Sequence, residues 1–454
     1  MTTQLKNPQI GLLRRLISFL DAIWAIIRLV IGGIAALFGK GSIKEKLAAH
    51  LGKASSQKLV LSVLRVFKPK ISLKKKLVQS YDNSGTVIIT RRKDVERVLT
   101  RDIDFEVVYG TRMRQLTHGN NFFLGMQPGH DYELNTSNMR LAARREDVAG
   151  VIIPRAAARG AEIVQASEGR IDLPVDLSLE IPWDMTDTYF GVGGPNGLVM
   201  KNWTTTLFGY LFTDLKADEA YGREAMEDAL ALRGYLDKAI AKRKAKPTKA
   251  YDMLNRCLAL QKAGQEGMSD LDIRNNLLGL LIGAIPTISK ASCLALDELL
   301  RRPIQLAGAQ AAARSGDDDL MAQYIWEALR FNPHNPVIYR RATRDTLIAG
   351  DSLRPLKVKK GQMVFAANFS AMFDRKYITR PNSFRTDRPW ETYMHWGYGL
   401  HNCFGAAINR AIIPAILKPL LLQKNLRRAE GEKGQIDNGG TRFPQHFILE
   451  FDPA

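Results

Sequence analysis

Apolar residues run almost unbroken from Leu16 to Phe38, with Asp21 and Arg28 as the two charged positions inside the run. As a helix those 23 residues would extend about 34 Å, enough to cross a bilayer core. Arg28, near the centre, would cost about 2.5–3.5 kcal/mol on insertion scales. Asp21 and Arg28 lie seven apart and share one narrow face, which leaves a tilted span, a helix lying in the interface and a helix packed on the protein itself all open. The run is too long for a cleaved signal peptide, and no convincing small-x-small site follows it. Farther along, Val87 to Thr90 reads as a strand and Asp94 to Leu99 as a short helix. Glu327 and Arg330, three apart, share a face of a helix over 324–330. Gly405 opens another apolar run, Ala406 to Leu422, that predicts a helix.

With 454 residues, 45% of them hydrophobic, the chain can bury a large core, and no repeat or low-complexity linker divides it. Three cysteines, Cys257, Cys293 and Cys403, follow no pairing pattern, which fits a reducing compartment. The net charge of +19 is unevenly placed: residues 1–76 carry +13, leaving +6 for the remaining 378. Basicity concentrated there argues against nucleic acid as a partner. Eleven Lys and Arg from Lys40 to Lys76, against one acid, instead predict a catalytic domain on the cytoplasmic side of a membrane, facing anionic lipid. The expected division is a basic, apolar membrane-associated segment at 1–76 and a single catalytic domain at 77–454.

Candidate chemistry concentrates at Trp396-Gly397-Tyr398-Gly399-Leu400-His401-Asn402-Cys403-Phe404-Gly405. Gly397 and Gly399 let the backbone approach a flat group closely, and Gly405 precedes a helix whose positive end, with the loop amides, would hold a thiolate at Cys403. Cys403 therefore reads as an axial ligand of haem iron, with His401 within reach of a haem propionate. A buried cysteine in a glycine-rich turn is the simpler alternative, and the ten-residue pattern argues against it.

This segment resembles the haem-binding loop of the cytochrome P450 superfamily, with Trp396 where that family usually has phenylalanine. Glu327-Ala328-Leu329-Arg330 is similar to its E-x-x-R helix, and Arg380 to Arg388 to the segment whose last arginine completes a buried triad of Glu327, Arg330 and Arg388. Arg340, opening Arg340 to Asp345, matches a propionate-binding arginine; Arg140 in Asn138-Met139-Arg140 is a second such match, although Thr136 stands where the family has His or Trp, and His130 is a nearby basic alternative. The resemblance covers roughly residues 77–454. It implies a mainly α fold with small β-sheets (α+β), a triangular helical prism around a buried haem b, with an apolar N-terminal helix added. Phe122, Phe123, Leu124, Ile285 and Val337 are the implied substrate-pocket residues.

One departure bears on mechanism. The register that reads Ala/Gly-Gly-x-Asp/Glu-Thr in ordinary members is Gly283-Ala284-Ile285-Pro286-Thr287 here, so Thr287 remains and the acid is replaced by Pro286. Proline removes a helical hydrogen bond and kinks the axis, and the lost carboxylate impairs the protonations that split bound dioxygen. A substrate already containing an O–O bond needs neither that relay nor a reductant. Phe122 to Met126 and Asn368 to Asp374 look like the branch near the haem-thiolate domains of fungal linoleate diol synthases, which rearrange fatty-acid hydroperoxides.

Three functions follow as expectations. The first is a haem-thiolate oxidoreductase acting on an apolar, fatty-acid-like substrate with a peroxide or lipid hydroperoxide. The second is a dioxygen-dependent monooxygenase served by a separate ferredoxin or flavodoxin, which a basic surface at Arg344, Arg375, Lys376 and Arg410 would receive. The third, of another class, is a non-enzymatic haem sensor or electron carrier.

Overall fold

The computed structural model describes residues 12–38, 42–348 and 355–452. Helices dominate and the sheets are small. The chain forms two compact units: one contains the described residues up to Val78 with Asp82–Glu106 and Trp326–Cys403, the other Gln79–Tyr81, Val107–Ile325 and the described residues from Phe404 onward.

The first unit begins with the helix Leu12–Leu37, which covers the expected apolar run. Two further helices follow, Ile43–Gly52 and Ala54–Phe67. Ser42 and Glu45 start the former with a reciprocal capping box, satisfying two of the backbone N–H groups that a helix start leaves without partners. Residues 54–78 thus pack with the unit they precede, beyond the expected boundary at 76. Asp21 is engaged too: its carboxylate accepts from Arg375 Nε at 3.0 Å and does not pair with Arg28 as a polar stripe would have it.

A five-stranded sheet orders Lys70–Leu73, Thr86–Ile89, Met363–Ala366, Ile338–Ala342 and Phe105–Glu106 from edge to edge. Thr86–Ile89 runs parallel to Met363–Ala366, and every other pairing is antiparallel. The strand and helix expected at 87–99 are Thr86–Ile89 and Arg92–Thr100. β-branched residues suit the former, and Val95, Val98 and Leu99 turn one stripe of the latter into a core of Val87, Ile89, Phe105, Phe331, Phe369 and Phe373.

The second unit is built round the helix Asp270–Leu300. A capping box of Ser269 and Asp272 starts it, and Leu277, Leu281, Ile285, Ile288 and Leu296 bury their side chains along its length. The expected apolar helix is Ala406–Leu421, which lies against Ile153–Ala166; there Gly160 lets Pro419 approach to within van der Waals contact. Arg170–Asp172, Ile448–Asp452 and Lys424–Arg428 form an antiparallel three-stranded sheet.

Leu99 is wholly buried in the first unit's core, so Leu99→Ala is expected to lower that unit's stability by about 2–5 kcal/mol. Denaturant unfolding checks it, and a loss well under 1 kcal/mol would show that the core assignment is wrong.

Candidate functional site

Within the first unit a buried carboxylate organises the approach to Cys403. Glu327 and Arg330 are both fully buried on the helix Asp318–Phe331. Arg330 donates to Glu327 through Nε at 2.8 Å and through a terminal nitrogen at 2.6 Å. Arg388 Nε donates to both Glu327 oxygens at 2.9 and 3.1 Å, the Arg385 backbone N–H to one at 3.0 Å, and the Tyr393 hydroxyl to the other at 3.3 Å. Burial alone would raise the Glu327 pKa, but the hydrogen bonds and charges of Arg330 and Arg388 outweigh it and hold the carboxyl below the usual range. Arg388 is itself anchored to the carbonyls of Thr379, Arg380 and Ser383. Residues 379–393 are thereby fixed to the helix.

That segment leads into the cysteine loop. Trp396 packs edge-on to Trp326 at 5.4 Å and stacks on Trp390 at 5.5 Å. Burial pushes His395 down to about 4, so the neutral ring hydrogen-bonds the Trp326 carbonyl at 3.0 Å. The loop closes when the Cys403 N–H donates to the Trp396 carbonyl at 2.8 Å. Gly397 and Gly399 hold φ of +89° and +77°, a region that side chains disfavour, and a Cβ at Gly399 would run into the Leu99 carbonyl. The glycine spacing therefore answers to backbone geometry here.

Arg340 and His401 come together in the same unit, 3% and 9% exposed. Burial and then the Arg340 charge push His401 down to about 4. Asp102, whose pKa burial raises, also feels Arg340; nothing in the sequence pattern marks it. Two buried bases of this kind suit a carboxylate-bearing group. Burial pushes the Cys257 and Cys293 thiols up to about 12, whereas Cys403 is half-buried at the end of the loop. Among the described residues no cluster of three or more His, Cys, Asp or Glu could hold a metal. An iron carried by a macrocycle, needing one protein thiolate, fits these donors.

In the second unit, the helix Asp270–Leu300 runs continuously through Pro286. At 100° per residue, Gly279, Leu280, Gly283, Ala284, Thr287, Lys290 and Leu294 fall on one face, and all seven are partly or fully exposed. The Thr287 hydroxyl donates to the Gly283 carbonyl at 2.5 Å. Ile285 lies on the opposite side, fully buried, so it lines the core rather than the expected pocket. Pro286 is buried at the flank of the open face. Phe122, 2% exposed, fills the space beside Gly279, and Phe123 meets Phe404 with ring centres 5.0 Å apart. Leu124 here and Val337 in the first unit are half-buried. Arg140 is exposed above the Phe404 ring at 5.4 Å, beside Arg144, Arg145 and Arg256 in an open cleft of about 480 Å³. Gly405 precedes the helix Ala406–Leu421 with an ordinary φ of −81°. His130 forms an exposed pair with Glu266 at 3.6 Å, and Thr136 hydrogen-bonds the Tyr132 carbonyl. Of the expected partner-binding arginines, Arg375 is taken by Asp21 and Arg344 by Asp104.

This arrangement defines a haem-thiolate class of protein, and comparison with known proteins places the chain within it. The family model described as Cytochrome P450 matches residues 199–443, more than half of the sequence, and the chain belongs to that family. The family's cofactor is haem b with a cysteine thiolate axial ligand. The chain is 27% identical over 265 residues to the Cyclomarin C epoxidase CymV of Salinispora arenicola, covering 58% of this chain and 63% of that one. It is 26% identical over 280 residues to a Steroid C26-monooxygenase of Mycolicibacterium smegmatis, covering 62% and 65%. It thus spans a little under two thirds of the curated relatives it matches. The crystal structure of CYP109E1 from Bacillus megaterium with testosterone superposes with a TM-score of 0.70 at 19% identity, covering 87% of this chain and 97% of that one, which shows the fold.

Glu327→Gln removes the counter-charge of a fully buried Arg330 and is expected to cost about 3–5 kcal/mol. Because the folded Glu327 pKa is depressed, its contribution is complete above the ordinary value of about 4.3 and is lost as pH falls through the folded one. Unfolding curves of the two proteins should lie far apart at pH 7 and converge in acid. A pH-independent gap would show that Glu327 is not ionised in the fold.

Proposed function

We propose that Cys403 is the axial ligand of haem b, and that this chain is an oxidoreductase acting on an apolar, fatty-acid-like substrate with a peroxide or lipid hydroperoxide as oxidant. The observation that carries the reading is the open face of the helix Asp270–Leu300. From Gly279 to Thr287 its open positions carry no titratable group, the next being Lys290 one turn on, and the one hydroxyl in that stretch donates its proton to a carbonyl of its own helix.

When bound, haem b with a thiolate ligand supplies an iron at which an O–O bond is cleaved and oxygen delivered to carbon. The remaining work belongs to the chain. Arg340 would neutralise a carboxylate arm, the uncharged His401 ring would hydrogen-bond one, and Gly397 and Gly399 would let the loop lie close to the macrocycle. Small side chains at Gly283 and Ala284 leave room for substrate on the open face. Leu124 in the second unit offers apolar surface to a long chain, and the flanking Pro286 brings no proton donor. The apolar helix Leu12–Leu37 and the basic residues after it support a location at the cytoplasmic face of a membrane, where such substrates partition.

A second reading has its own support. Thr287 retains a hydroxyl at the expected register, and the relatives are named epoxidase and monooxygenase. On that reading dioxygen is the oxidant and electrons come from a separate ferredoxin or flavodoxin.

Cys403→Ser is expected to abolish the thiolate absorption signature while leaving secondary structure unchanged by circular dichroism; a retained signature would remove Cys403 as the ligand. The ferric protein, given a polyunsaturated fatty-acid hydroperoxide with no reductant, is expected to consume it and release epoxide, diol or ketone, identified by mass spectrometry. No consumption, with substrate oxidation once surrogate ferredoxin and reductase are supplied, would establish the second reading instead.

A further inference from the structure

We infer that the helix Leu12–Leu37 is a monotopic anchor, lying flat in the headgroup region of an anionic bilayer while strapped to its own unit, and that it does not cross the membrane. The inference rests on the membrane location proposed above and gives that location its geometry.

The straps run along most of the helix. The Phe19 ring meets Phe67 edge-on at 5.7 Å. Asp21 is ion-paired with Arg375, which lies in the folded body of the same unit. Ala22 and Ala25 are 0% and 2% exposed, the two most enclosed positions on the helix. At Gly32 the His50 imidazole sits so close that a Cβ would collide with it, and Lys46 donates to the Leu37 carbonyl at 2.9 Å. These contacts span residues 19 to 37. A span needs about 20 consecutive residues clear of the protein body, and crossing would force each of these contacts to break.

The opposite face is apolar and open. Leu16, Leu20, Trp24, Ile27, Ile31 and Ile34, 41–60% exposed, recur at helical spacing on the side away from Ala22 and Ala25. The next helix, Ile43–Gly52, continues the surface with Ile43 and Leu47, 66% and 38% exposed. A bulky apolar stripe with basic flanks is the pattern of an interfacial helix. Charge identifies the occupant: residues 1–76 carry a net +13, which anionic headgroups complement at about 1 kcal/mol per basic residue near the surface. A second copy of this chain would set one +13 segment against another.

The test uses the full-length, haem-loaded protein with a protease-cleavable N-terminal tag, mixed with vesicles of phosphatidylcholine alone or with phosphatidylglycerol. Flotation is expected to show binding to the anionic vesicles about tenfold or more tighter than to neutral ones, weakened by salt. External protease should remove the tag from bound protein. Leu20→Glu combined with Ile31→Glu should abolish binding while the haem spectrum persists, which separates failure of the anchor from failure of the haem assignment. A protease-protected tag would mean that the helix crosses and would overturn the inference. Equal binding to neutral vesicles would remove the charge argument. Lipid-free dimers in analytical ultracentrifugation, dispersed by the same double variant, would assign the face to a second copy.

Discussion

Glu327 is a carboxylate with no access to water, and the first unit's candidate site depends on how that charge is satisfied. Taking a carboxylate and guanidinium groups out of solvent costs several kcal/mol per ion, recovered only when every lone pair finds a donor. Here Arg330, Arg388, Tyr393 and the Arg385 amide supply donors from two stretches of chain far apart in sequence. The arrangement tolerates little movement, because a retreat of either stretch would strand a buried charge. Order then passes along the chain: Tyr393 is two residues from His395, His395 holds the Trp326 carbonyl, and Trp396 receives the amide of Cys403. A residue with no reacting atom near it thus fixes where a sulfur can sit.

The two units supply different chemistry. The first contributes one buried cation, Arg340, beside the neutral His401 ring, and the half-buried thiol of Cys403. The second contributes a helix face that carries no charge from Gly279 to Thr287. Pro286 and Ile285 pack inward, and the small residues at 283 and 284 remain outward. From Gly279 to Thr287 that face carries a hydroxyl and no acid, and on this the proposed choice between a peroxide and dioxygen turns.

Much of this was legible in the sequence, and for a physical reason. Glu327 and Arg330 are three apart on one helix, and the glycines around Tyr398 encode a backbone path that few other residues permit, so local spacing carried the information. The strand and helix at 86–100 and the helix from Ala406 were likewise periodic patterns read within a few residues. What escaped was tertiary. Asp21 finds its partner 354 positions away in Arg375, and the same pair removes an arginine from the expected docking surface. Asp102 joins Arg340, and Tyr393 joins Glu327, through folding alone. Ile285 shows a different failure: its apolarity suited a pocket and a core equally, and only the phase of the helix against its neighbours decides between them.

The two silent cysteines have a practical consequence. Cys257 and Cys293 are enclosed, and with thiols pushed up to about 12 they form almost no nucleophile at neutral pH. A mild electrophile added to the folded protein is therefore left with a single thiol to attack, Cys403, the one proposed to hold the iron. The stoichiometry of alkylation becomes a titration of empty sites, a direct count of apoprotein in any preparation.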